Sequence, residues 1–375
     1  MKIGIVVPGG FDREPEWGRL EYVRWVVERV AARNEVHVFS IRGARRPATY
    51  PLHGATVHHA GAWPRKVRTF TSVLAAHAKG RFDLLHAFWV RPPGAIAVTA
   101  GALIRRPVLI HVTGGELVSV PDVSYGGLQT PGSRSAVRRA LAGASRITVA
   151  SRPNLAALEA LGFSGERVPL GVDVRAWPPR PPRQRARGAP ARLVHAANLS
   201  PFKDQPTLLE AAKRLATLGV DFQLDIAGRD MLGGAMQQLT ARLGLATRVR
   251  FHGHLPRERL YDLMAQADLL WHTSRFEGGP LVVLEAAVLG VPTVGTAVGH
   301  VVDLSPTGAI AVPVGDPETL ARETATLLDD ESRRLALARE AQRQALASDA
   351  DWTARRFEAL YDEMLSGATQ RGRGR

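Results

Sequence analysis

Residues Ser274 to Thr296, SRFEGGPLVVLEAAVLGVPTVGT, constrain the fold more tightly than any other stretch. Just ahead of them Ala267 to Ser274 (ADLLWHTS) is an apolar run of strand length closed by polar residues. Gly278-Gly279-Pro280 sets up a helix start, with Pro280 at the first helical position, where a missing N–H costs nothing. Leu281 to Leu289 then continues apolar, Gly290 and Pro292 end the helix, and Thr293 to Thr296 returns as a strand. A surface helix would carry several charges on its solvent face; here Glu285 is the only one, which predicts a buried helix.

A lone carboxylate in a buried helix must be paired or used. Glu277 lies eight residues earlier, on the loop before the helix. The N–H groups of Gly279, Leu281 and Val282, together with the positive end of the helix dipole, favour an anion such as a diphosphate. Gly278 and Gly279 let a ligand approach the backbone closely. Glu285, roughly 9 Å along the axis at 1.5 Å per residue, is placed to accept hydrogen bonds from sugar hydroxyls beside that diphosphate. Glu277 would reach a second sugar. The alternative, that Glu285 caps a neighbouring backbone and Glu277 is a plain loop charge, suits either residue alone better than it suits the pair.

A Glu, seven residues and a second Glu within EGGPLVVLEAAVLGVPTV resemble the donor site of the retaining family 4 glycosyltransferases, and the resemblance extends over nearly the whole chain. It implies an α/β protein of the GT-B fold: two Rossmann-like, doubly wound domains facing each other across a cleft. It also implies that Glu277 contacts the transferred sugar and Glu285 the nucleotide ribose.

At 375 residues, two domains with separate cores are expected. No apolar run approaches the length of a membrane span. Met1-Lys2 leads straight into a strand, which predicts no signal peptide. The absence of cysteine excludes disulfides, thiolate catalysis and cysteine-based zinc sites, and suits a cytoplasmic enzyme. The net charge of +14 admits nucleic acid, anionic lipid or an anionic substrate. No basic stripe interleaved with aromatics supports nucleic acid, which is the weaker reading.

In the first domain, expected over residues 1–170, Lys2 to Val7 (KIGIVV) reads as a buried parallel strand ending in Pro8-Gly9-Gly10. A helix is expected from about Trp17 to Arg33. The glycines do not form GxGxxG, so a nicotinamide-type fingerprint is absent. The resemblance places Gly9 and Gly10 beside the acceptor and the donor diphosphate, and the following FDREPEW departs from the family. Strands at Asp83 to Phe88, Val108 to Thr113 and Arg146 to Ser151 alternate with Ala-rich helical patterns, as in a parallel sheet with crossovers. His111 sits in an apolar strand, where a core role is commoner than a catalytic one. Thr113-Gly114-Gly115-Glu116 follows. Thr113 stands where many family members carry a histidine facing the reacting sugar; Glu116 or His111 would be the substitutes. These residues, with Gly114, make up the expected acceptor side.

Residues 171–190 read as an exit and a Pro/Arg-rich linker whose arginines are solvated. The second domain, 191–350, opens with a strand (RLVHAA), a loop (NLSPFKDQP) and a helix from about Thr207. Lys203 sits near that helix N-terminus. The family's pattern of Arg, four residues and Lys on the donor diphosphate is matched by Lys203 and broken by Asn198; Arg229 or Arg275 would restore the charge. Gly228 ends the strand FQLDIAG at a turn that the family uses at its cleft. His252-Gly253-His254 lacks a third ligand, and Asp349-Ala350-Asp351 does not follow a strand, so neither marks a metal site. Residues 351–365 are expected to form a terminal helix crossing back to the first domain, and 366–375 a disordered basic tail.

The sequence therefore predicts transfer of a sugar from a nucleoside-diphosphate sugar to a glycan or lipid-linked acceptor, with retention and with no metal or other cofactor. Glu277 and Lys203 are the expected catalytic residues. An epimerase of the same fold and a non-catalytic partner subunit are the alternatives. Peripheral contact with an anionic membrane is expected from the linker and tail.

Overall fold

The structure is a computed structural model that describes residues 1–12, 20–43, 46–186 and 188–372, with side chains to residue 366. The chain divides into two units, Met1–Gly171 with Ala350–Arg375, and Val172–Asp349.

The first unit contains β1 (Lys2–Val7), α1 (Glu21–Ala31), β2 (Glu35–Ser40), β3 (Ala48–Leu52), β4 (Ala55–His59), α2 (Arg65–Lys79), β5 (Leu84–Phe88), α3 (Ala95–Ile104), β6 (Val108–Val112), α4 (Pro131–Ala142), β7 (Arg146–Val149), α5 (Arg152–Ala160) and β8 (Glu166–Arg167). Its sheet runs β3-β4-β2-β1-β5-β6-β7-β8, parallel except for β3 against β4. Side chains alternate across a strand, so Ile3, Ile5 and Val7 enter one apolar cluster and Val6 the other, which gives the sheet a core on each face. The expected helix start at Trp17, and most of FDREPEW, lie outside the described residues.

The second unit contains β9 (Ala191–Ala196), α6 (Gln205–Thr217), β10 (Phe222–Ala227), α7 (Ala235–Arg242), β11 (Val249–Gly253), α8 (Arg257–Ala265), β12 (Leu269–His272), α9 (Leu281–Val288), β13 (Thr293–Thr296), α10 (Gly299–Leu304), β14 (Ala309–Val312), α11 (Pro317–Asp329) and α12 (Glu331–Ala347). Its sheet is all parallel, in the order β11-β10-β9-β12-β13-β14. The final helix, α13 (Ala350–Gly372), belongs to the first unit. Phe357, Leu360, Tyr361 and Met364 of α13 enter that unit's core, and Tyr361 Oη lies 2.7 Å from His86 Nδ1. Backbone of the segment read as a tail continues α13 through 372, and 373–375 lie outside the described residues.

The Pro/Arg stretch differs from the solvated linker that its composition suggests. Arg183 donates to Asp268 Oδ1 at 2.9 Å, and Arg185 Nη1 to the Leu328 carbonyl at 3.0 Å. The buried Arg334 donates to the Arg183 carbonyl at 2.6 Å, and Arg180 lies over the Tyr261 ring. Asp268 is buried and Glu331 half-buried, and such carboxylates need cationic partners, so these arginines are bound along the second unit. Gly290 (φ +70°) allows this: a Cβ there would lie 2.6 Å from Pro182 N. Arg187 is outside the described residues.

Candidate active site

The strand order of the second unit locates the site before any side chain is considered. From β9 the chain winds outward through β10 to β11, then crosses to β12 and winds the other way through β13 to β14. The carboxyl ends of β9 and β12 therefore flank a topological switch point, where open α/β sheets bind their ligands. The loop after β9 carries Asn198 and Lys203, and the loop after β12 carries Glu277 to Pro280.

These two loops are joined. Arg275 N–H donates to the Phe202 carbonyl at 2.7 Å, and Thr273 Oγ1 donates to the Lys203 carbonyl at 3.1 Å. Lys203 ends a short 3-10 turn (Pro201–Lys203), and Asp204 (φ 52°) caps α6 by accepting from Thr207 N–H at 3.4 Å, with Thr207 Oγ1 donating to its other oxygen at 2.9 Å. Helix α6 thus starts at Gln205, slightly earlier than the sequence reading. On this platform the Lys203 ammonium is ion-paired with Glu277 Oε1 and stands 5.1 Å from the centre of the Phe202 ring. Glu277 also accepts from Ser274 Oγ at 2.9 Å. Both charged side chains are less than a fifth exposed.

Two buried histidines lie beneath the pair. His272 Nε2 is 3.8 Å from Glu277 Oε1, too far for a hydrogen bond. Burial, and then the Lys203 charge, hold its pKa well below the usual range. His195 donates from Nδ1 to the Trp271 carbonyl at 3.0 Å and faces Gln205 Nε2 at 3.2 Å; burial lowers its pKa to about 4. Both rings are neutral near pH 7. Lys203 and Glu277 form the ion pair above them.

Helix α9 follows at once. Pro280 is its N-cap (ψ 109°) instead of its first helical residue, because its backbone is extended. Val283 N–H already closes on the Pro280 carbonyl at 3.1 Å, so the N–H groups ahead of it are those a helix leaves open. The helix is less buried than its composition suggests. Val283, Leu284, Ala286, Ala287 and Val288 are buried, whereas Leu281, Val282 and Glu285 are half-buried. Those three share one side at helical spacing. Glu285 thus lies on the open stripe, and the expectation of a fully buried carboxylate is corrected. Gly278 is buried and Gly279 half-buried. Gly299 (φ +43°) brings α10 against this loop: a Cβ there would lie 2.4 Å from Pro280 Cδ.

The remaining donor-side residues stitch loops. Exposed Asn198 accepts from Arg229 N–H through Oδ1 at 3.0 Å, and Arg275 pairs with Asp204 at 3.4 Å. Gly228 (φ +151°) is required by close passage of the β9 loop, since a Cβ there would lie 1.9 Å from the Ala197 carbonyl oxygen.

In the first unit the switch point falls between β1 and β5. Gly9 and Gly10 lie in the turn after β1; the Gly10 carbonyl (φ +80°) accepts from the buried Arg24 Nε at 2.6 Å. His111 is fully buried against Phe88 and Phe357, with Nδ1 2.8 Å from Thr148 Oγ1. Its position is that of a core side chain, not of a group facing a substrate. Thr113 is buried, with an Oγ1 that has no partner among the described residues. Glu116 accepts from Gly114 N–H at 2.6 Å and Val90 N–H at 3.4 Å, so its carboxylate organises this loop; burial raises its pKa. Asn154 Nδ2 also reaches the Gly114 carbonyl at 3.3 Å. Phe202, Ser274, His272 and Asn154 were not singled out from sequence, because their roles depend on which strands are neighbours.

Residues 181–344 match the family model described as "Glycosyl transferases group 1". A GDP-mannose-dependent monoacylated alpha-(1-6)-phosphatidylinositol monomannoside mannosyltransferase of Corynebacterium glutamicum is 28% identical over 73% of this chain and 76% of its own length. A D-inositol 3-phosphate glycosyltransferase of Thermomonospora curvata is 26% identical over 91% and 89%. Among solved structures, sucrose-phosphate synthase of Thermosynechococcus elongatus superposes with a TM-score of 0.77 at 18% identity, covering 98% of this chain and 99% of its own. Anabaena Alr3699/HepE in complex with UDP does so at 0.74 and 19%, covering 97% and 100%. The chain has the GT-B fold of these structures, its residues 181–344 match the group 1 glycosyltransferases, and the relatives support a sugar-transferring enzyme.

Proposed function

We propose that the chain takes its sugar from a nucleoside-diphosphate sugar, binds that donor at the switch point of the second unit, and transfers the sugar with retention to a glycan or lipid-linked acceptor. The observation that carries this reading is the Lys203–Glu277 pair beside the open N-terminus of α9. Without donor, each charge satisfies the other in a half-buried place where either alone would be costly. An arriving diphosphate takes over Lys203 and the free N–H groups, and Glu277 is released towards the sugar. Glu285, on the open stripe of α9, then meets the ribose. Lys203 and the helix amides stabilise the departing diphosphate, which is where negative charge grows in the transition state. No activated nucleophile is needed if the acceptor attacks from the face that the diphosphate leaves. Both nucleotide types occur among the similar proteins: the Corynebacterium enzyme is GDP-mannose-dependent and the Anabaena structure holds UDP. The former, acting on a phosphatidylinositol mannoside, supports a lipid-linked acceptor and peripheral contact with the cytoplasmic face of a membrane.

Incubation with a panel of nucleotide sugars, followed by separate assays for free nucleoside diphosphate and for epimerised sugar, tests this function. Acceptor-dependent release of nucleoside diphosphate is expected. Epimerised sugar without acceptor would instead identify an epimerase, and no turnover with any donor would identify a partner subunit.

Two further outcomes are expected. Glu285→Gln should weaken binding of the bare nucleoside diphosphate about ten- to a hundredfold, through loss of a charged hydrogen-bond partner. Glu277→Gln should not weaken that affinity, and should strengthen it by freeing Lys203 for the diphosphate, while lowering turnover of the full donor. Calorimetric titration and initial rates read both, and equal weakening in the two variants would contradict the assignment. Activity is also expected to persist in excess EDTA, since the diphosphate is countered by a lysine and amides. Loss restored by magnesium or manganese would contradict this.

A further inference from the structure

With the linker arginines bound along the second unit, the basic excess that faces solvent must be sought elsewhere. Between Gly61 and Pro107 the chain has eight Lys or Arg residues and a single acid, Asp83. Asp83 is turned inward, accepting from Lys2 N–H at 2.7 Å. Arg65, Lys66, Arg68, Arg91 and Arg105 are all exposed and have no ion-pair partner among the described residues. Three exposed large apolar side chains, including the two most exposed among the described residues, fall in the same region. Trp63, just before α2, is 84% exposed, Val67 59% and Leu103 66%. A groove of about 430 Å³ lies between α2 and α3, lined by Val67, Phe70, Pro92 and Ile96, together with the cations Lys66 and Arg91. Thr99 also lines it, and Leu103 lies one turn beyond on the same side of α3.

We propose that the first unit docks on the surface of an anionic phospholipid bilayer through this face, with lipid phosphates at Lys66 and Arg91 and the apolar groove against the acyl boundary. Unpaired cations beside exposed Trp and aliphatic side chains have the two properties an interfacial membrane contact requires, attraction to anionic headgroups and burial of apolar surface. A nucleic acid would satisfy the cations but leave the apolar groove in water. The proposal rests on the peripheral-contact reading above and gives it a location.

The full-length chain is sedimented with phosphatidylcholine vesicles, with and without about one third phosphatidylglycerol, where each cation near the surface contributes roughly fivefold to binding. Anionic vesicles should bind and neutral ones should not. Lys66→Glu with Arg91→Glu should weaken binding at least about tenfold, and Trp63→Ser by about threefold or more. Lys213→Glu, an exposed change on the second unit, should stay within about twofold. Calorimetric affinity for UDP and GDP, measured on the same samples, shows that the variants are folded and tests donor binding separately. Three outcomes would overturn the proposal: no binding to anionic vesicles at low salt, equal binding to neutral ones, or unchanged binding in the double variant.

Discussion

Lys203→Ala is expected to lower kcat/KM for donor turnover by about 10²- to 10³-fold, the usual effect of removing one preorganised group that stabilises transition-state charge. Two causes act together. The departing diphosphate loses its nearest cation, and Glu277, less than a fifth exposed, loses its counter-charge. The second loss raises the cost of placing another anion there, so nucleoside-diphosphate affinity should fall as well. Lys203→Arg should recover only part of the activity, because the larger, planar guanidinium keeps the charge but not the compact ammonium position between Glu277 and the Phe202 ring. Initial rates and calorimetry on the two variants check this; unchanged turnover in Lys203→Ala would remove the lysine from the mechanism.

The second large effect is on stability and comes from buried histidines. His86 and His111 lie in the first unit and His195 and His272 in the second, all fully buried or nearly so. Burial lowers the pKa of each, to about 3 for His111 and about 4 for His195. Between the unfolded value near 6.5 and the folded one, the unfolded chain binds more protons, so stability falls as pH falls. From pH 7.5 to 5.0 His111 and His195, one in each unit, each contribute a loss of about 2 kcal/mol, and His86 and His272 add to it in the same direction. Glu116 acts in the opposite direction, since its raised pKa favours the folded state at lower pH, but it is one group in one unit. A fall of about 10 °C in melting temperature is expected across that range. An unchanged melting temperature would show that these rings are protonated in place.

Most of the architecture was legible because its signals are local. Apolar runs such as KIGIVV and RLVHAA, each closed by a polar or glycine turn, mark parallel strands without knowledge of their neighbours. The β3–β4 hairpin was not seen. Pro51 and the histidines interrupt its pattern, and its turn depends on positive φ at His53 and Gly54, not on an Asn-Gly or Asp-Gly pair. The site was legible in part for a related reason. Glu277, Glu285 and Lys203 stand out through their contrast with apolar or glycine-rich surroundings. The Lys203–Glu277 pair itself spans two loops that meet only because β9 and β12 are adjacent, and adjacency is a property of the folded sheet. The linker was misread because composition shows its arginines but not the buried Asp268 that one of them, Arg183, answers.

On this mechanism a nucleoside-diphosphate donor binds where β9 and β12 end. A crystal soaked with UDP, and another with GDP, tests it most directly. A diphosphate is expected within hydrogen-bond distance of Lys203 and the first N–H groups of α9, with the Lys203–Glu277 pair broken and the ribose hydroxyls on Glu285. A diphosphate bound elsewhere, or bound with the Lys203–Glu277 pair intact, would contradict it.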